Sequence, residues 1–216
     1  MRKLFLLLAL SLTLTSAGDI IAQDRHDRHH RTESCKENRD DEPCHRHGHR
    51  KHRPTYVING SNVYFGGKVV KDASSNGFAV LKDDYAKDFW NAYYRGVKIN
   101  GASSSSFRVL GDGYAKDTWE VYFDGRKIGD ASTDSFRILG EGYAKDTWNA
   151  YFDGAKIGGA SPDSFKVLHD GYAKDTWNVY FDGKPISGAS PDSFSVMTDG
   201  YAKDTWNTYY YGKIIR

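Results

Sequence analysis

Between Tyr172 and Gly200 the chain alternates. Asp175, Trp177, Val179 and Phe181 take one set of positions, and Thr176, Asn178 and Tyr180 take the other. A period of two is the spacing of a half-buried strand and puts Trp, Val and Phe on one face. Asp182 and Gly183 interrupt it with the composition of a tight hairpin turn, and Pro185 and Ile186 begin a short return strand. Ser190, Pro191, Asp192 and Ser193 read as a helical or 3₁₀ turn, with Ser190 as cap and Pro191 in the first helical position. Phe194 to Met197 supplies the next strand, and Asp199-Gly200 turns the chain into Tyr201. No stretch carries an apolar 3.6-residue period long enough for a helix.

The same pattern recurs without a slip. Tyr56, Tyr85, Tyr114, Tyr143, Tyr172 and Tyr201 lie 29 residues apart, and Trp90, Trp119, Trp148, Trp177 and Trp206 keep the same phase. So do Gly67, Gly96, Gly125, Gly154, Gly183 and Gly212. A fixed period of this size means a repeat architecture. Six Tyr-led halves face only five Phe-led strands, at Phe78, Phe107, Phe136, Phe165 and Phe194, so a closed six-bladed ring would lack a strand at its seam. The predicted fold is all-β, with tandem 29-residue repeats forming an open stack or solenoid-like array of short strands; a small-bladed β-propeller is the alternative.

The N-terminal quarter breaks the pattern. Arg2 and Lys3 precede an apolar run from Leu4 to Leu14, followed by small residues. That run is too short for the ~30 Å core of a bilayer, so residues 1–22 read as a cleaved signal peptide. Residues 24 to 54 hold nine Lys/Arg, seven Asp/Glu and seven of the eight His, with no Val, Ile, Leu or aromatic residue. Nothing there offsets the ordering entropy of about 1–2 kcal/mol per residue, and 23–54 reads as a disordered, His-rich charged tether. The repeat domain then runs over 55–216, with units starting at 56, 85, 114, 143, 172 and 201. Export places the protein in the periplasm, on the cell surface or outside the cell, with no integral span after signal cleavage.

Tyr114-Ala115-Lys116-Asp117, followed by Tyr122-Phe123-Asp124-Gly125 and by Ala131 to Leu139, resembles the bacterial DKNYY repeat family, and the resemblance continues through the 29-residue echoes from 56 to 216. This chain carries Thr-Trp or Phe-Trp where the family often has Lys-Asn after the Asp. The resemblance implies export and repetition. It implies no catalytic residues.

Composition narrows the chemistry further. The chain carries 30 basic and 28 acidic residues for a formal +2, too balanced for a dedicated nucleic-acid binder. His169 occurs once, so no unit owns a private acid, base and nucleophile, and the protein reads as a non-enzyme needing no cofactor. Asp112 and Asp117 recur as turn acids, more in keeping with Asx caps than metal ligands. Lys116 and its echoes, each beside an Asp, read as a row of surface charges. In the tether, Cys35 and Cys44 are the only cysteines and would pair in an oxidising compartment. Cys44 with His45, His47 and His49 offers weak Zn, Cu or Ni binding, and protonation of the histidines in mild acid would make the tether strongly cationic.

Alternation predicts that the Trp ladder is core, packed with the aromatic four residues later. The opposite face, carrying Tyr93, Tyr122, Tyr151, Tyr180 and Tyr209, is then the expected ligand-binding surface. The function that follows is an interaction or structural module. Carbohydrate or cell-wall binding through a repeated aromatic face is one alternative, and metal binding by the tether is another. The partner is an unidentified protein or a cell-envelope glycan.

Overall fold

The computed structural model describes residues 54–215, and they are all-β. Six small antiparallel sheets follow one another along the chain without closing into a barrel, one of three strands and five of four. Among the described residues no helix is long and apolar enough to cross a membrane. The three-stranded sheet comes first, Tyr56–Asn59, Asn62–Phe65 and Lys68–Val69, and the Phe-led strand is the one it lacks. The strand count read from the sequence thus has a structural meaning: each Phe-led strand joins the sheet of the tyrosine hairpin that follows it.

One repeat illustrates the assembly. Arg137–Gly140 pairs with Tyr143–Lys145, which pairs with Ala150–Phe152, which pairs with Ala155–Lys156. Tyr143 lies opposite Phe152, Ala144 opposite Tyr151 and Lys145 opposite Ala150. The Asp153-Gly154 turn takes φ of 45° and 77°, two successive left-handed residues, as the sequence predicts for a tight hairpin. The segment before each Phe-led strand is a turn rather than a helix, closed in this part of the chain by the Phe165 N–H donating to the Pro162 carbonyl at 3.4 Å.

The core lies between sheets. Alanine sits opposite tyrosine across the central pair, so each sheet offers one face to the unit before it and one to the unit after. Tyr143, Ala150 and Ile157 of one repeat pack with Ala173 and Tyr180 of the next, and Phe165 from the connecting segment wedges between them. Its ring centroid lies 5.7 Å from that of Tyr143 and 5.4 Å from that of Tyr180. Equivalent clusters form around Phe107, Phe136 and Phe194. With so few Leu and Ile, these buried aromatics supply the area, at roughly 1.5–3 kcal/mol for each large side chain removed from water.

Candidate functional site

The Tyr-Ala-Lys-Asp element proves to be the joint between repeats. The Tyr143 hydroxyl donates to the Gly171 carbonyl at 2.9 Å and accepts from the Gly183 N–H at 3.0 Å, so one phenol pins two turns of the next repeat. Tyr85, Tyr114 and Tyr172 make the same pair of bonds. Burial raises the phenols of Tyr143 and Tyr172, and that of Tyr56 at the head of the array to about 12. An acid two residues before the tyrosine adds a third bond: Asp83, Glu141 and Asp170 accept from the N–H of Gly113, Gly171 and Gly200.

The lysine of the element is equally structural. Lys116 donates to the Thr133 carbonyl, Lys145 to the Pro162 carbonyl, and Lys174 to those of Pro191 and Phe194. Lys116 and Lys145 are buried, and desolvation lowers both ammonium groups. The expected row of surface charges is therefore corrected at these positions: the ammonium groups serve as caps on the carbonyls of the next turn.

The aspartate organises the hairpin. Asp146 Oδ1 accepts from the Trp148 and Asn149 N–H groups, each at 2.7 Å. Its Oδ2 accepts from the Ser132 N–H at 2.8 Å and from the Tyr151 hydroxyl at 2.9 Å. Burial alone would raise this carboxyl, but the four donors outweigh it and hold the pKa below the ordinary value. Asp88, Asp117, Asp175 and Asp204 repeat the arrangement, Asp204 reaching about 2.

These bonds invert the expected aromatic faces. Tyr93, Tyr122, Tyr151, Tyr180 and Tyr209 are buried, and each donates its hydroxyl to the aspartate of its own hairpin at 2.7–3.0 Å. Their phenol tips line the interior, so they present no surface to a ligand. The tryptophans, expected in the core, are 75–80% exposed. The reason is local: the Asp caps the turn between two strands, so Trp148 occupies its bend, ahead of Ala150–Phe152, and the apparent alternation runs through a loop.

Each Trp consequently projects from a backbone fixed at its own N–H. The threonine before it donates its N–H to a serine hydroxyl of the preceding connection at 3.1 Å, as Thr118 does to Ser106, Thr147 to Ser135, Thr176 to Ser164 and Thr205 to Ser193. Thr133 Oγ1 further donates to the Thr118 carbonyl at 3.2 Å. The result is an exposed indole on a fixed backbone, repeated from Trp90 to Trp206, with the threonine–serine bond beside it in four of the five copies. In the first copy Phe89 is exposed beside Trp90.

His169 lies at the surface with Nδ1 3.5 Å from Asp170 Oδ2. The expected tether chemistry, with Cys35, Cys44, His45, His47 and His49, falls outside the described residues, as does the signal segment. No curated protein and no solved structure matches the chain. The model of the DKNYY family matches twice, over residues 49–153 and 143–214, the second match beginning on Tyr143 of a Tyr-Ala-Lys-Asp joint. Together these matches span most of the protein and all but one of its described residues, and the chain belongs to the DKNYY family.

Proposed function

We propose that this repeat protein is an exported, non-catalytic binding module whose tryptophans stack on an extended glycan of the cell envelope. The observation that carries this reading is the exposure of all five Trp at equivalent, backbone-pinned positions. An indole face covers the C–H face of a pyranose, and nearby hydroxyl and amide groups complement sugar hydroxyls. One such contact is weak. Several on one scaffold raise avidity by about 10²–10⁴ when a polymer engages them together. Equivalent surfaces in five of the six units favour binding over catalysis, which needs one unique constellation. Export rests on the basic and apolar N-terminal run.

Pulldown of the full chain on insoluble polysaccharides, including peptidoglycan, chitin and cellulose, tests the reading. Retention on at least one polymer is expected, weaker for Trp148→Ala and abolished for the combined Trp119→Ala, Trp148→Ala and Trp177→Ala variant with its melting temperature unchanged. Equal retention of the triple variant, or no retention of the parent chain on any polymer, overturns it. A protein partner is the second reading, favoured by the exposed Phe89-Trp90 pair, since paired aromatics suit the desolvated centre of a protein interface.

A further inference from the structure

We infer that the two ends of the array dock on one another, so that the last repeat of one copy takes the first repeat of a second copy by the joint that the chain already uses internally.

The tail face is built, and its residues are exposed. Tyr201 and Tyr210 are each 41% exposed, whereas Tyr85, Tyr114, Tyr143 and Tyr172 are fully buried by the repeat that follows them. Ile215, in phase with the buried Ile99, Ile128 and Ile157, is 54% exposed. The head face is its counterpart. Val57 stands where Ala86, Ala115, Ala144, Ala173 and Ala202 are buried against the preceding repeat, and it is 54% exposed.

Gly67 makes the match specific. At Gly96, Gly125, Gly154, Gly183 and Gly212 a Cβ would come within 2.5–2.7 Å of an aromatic of the preceding repeat, respectively Phe65, Tyr94, Phe123, Phe152 and Phe181. Gly67 shares the left-handed φ, at 79°, yet a Cβ there meets nothing within 4 Å. The slot is present without its aromatic. Tyr210, in phase with Tyr94 and Phe123, is an exposed aromatic of the kind that fills such a slot.

The polar contacts fall into the same register. In the internal joint, the tyrosine hydroxyl reaches the carbonyl just before the next Tyr and the N–H eleven residues after it, and the acid reaches the N–H of the former residue. Transferred to a second copy, Tyr201 would donate to the Thr55 carbonyl and accept from the Gly67 N–H, and Asp199 would accept from the Thr55 N–H. The Phe wedge and the carbonyls capped by the lysine have no counterpart, because both belong to the connection into a Phe-led strand, which the first sheet lacks. The junction is accordingly weaker than an internal one and reversible. Being head-to-tail, it propagates rather than closing at a dimer.

Sedimentation velocity of the full chain, up to about 1 mM, reads this out. The weight-average mass is expected to climb past the dimer with concentration. Tail-blocked Tyr210→Ala and head-blocked Gly67→Asn, the latter a residue that tolerates left-handed φ, should each remain monomeric. Their equimolar mixture should form a dimer that grows no further. Val57→Lys gives a second head block should Gly67→Asn fold poorly, as judged by circular dichroism. A parent chain that stays monomeric, blocked variants that associate like the parent, or a mixture that does not dimerise would each overturn the inference. The combined Trp variant should associate like the parent, which separates this result from failure of the glycan reading.

Discussion

Asp146 shows how much one side chain holds. Its carboxylate takes four donors, and the Tyr151 hydroxyl is the only one of them from another side chain. Tyr151→Phe keeps the ring but strips a buried charged acceptor of one partner, at about 1–3 kcal/mol in chemical denaturation. Trp148→Ala, by contrast, removes an exposed ring and should stay within about 0.5 kcal/mol. Their order is the reverse of the one alternation predicts. The aspartates and tyrosines also bracket the pH range of stability. Carboxyls held below their unfolded values contribute stability above about pH 4 that is lost as pH falls through the folded values, about 2 for Asp204. Phenols raised by burial and by their bonds to aspartate contribute stability below about pH 10 that is lost on going higher, toward about 12 for Tyr209. Melting temperature against pH should be flat between these limits and fall on both sides; a steady slope through neutral pH would contradict this account.

The hairpin is the element on which these residues act, and its Gly turn packs directly against the preceding repeat. Gly154 has φ of 77°, and an added Cβ would lie 2.5 Å from Cβ of Phe123. Gly154→Ala should therefore cost at least about 2 kcal/mol. Gly158→Ala, at an ordinary φ with open space around it, should change stability by less than about 0.5 kcal/mol. Thermal melts of the two variants check the contrast. The turn itself was legible, because Asp-Gly between apolar runs is a local signal. So were the strands and the 29-residue phase. The faces were not, for a physical reason: alternation from Asp175 to Phe181 persists through a bend, and a sequence of this length satisfies a strand and a capped turn equally well. The aspartate at its start was the available clue, since an Asx cap ends a strand. The tyrosine joints were hidden in another way. Each phenol bonds to residues 28 and 40 positions onward, beyond the reach of any local pattern.

At the scale of the whole molecule, every repeat relies on its neighbours for its core and for its polar joint. Stability is then close to a sum of unit and junction terms along one dimension. The residues that make a junction are nearly the same in each copy, so no unit is individually tailored to the one beside it. Losing residues 114–142 would join Gly113 directly to Tyr143, bringing Gly154 to the place Gly125 had held relative to Tyr85. Every partner would return in kind. The hydroxyl that counts 28 and 40 residues forward thus acts as a proofreader of length, matched only when insertions and deletions come in whole periods. An ancestral gene could lengthen or shorten this array by unequal exchange, one Trp at a time, without ever passing through a chain that fails to fold.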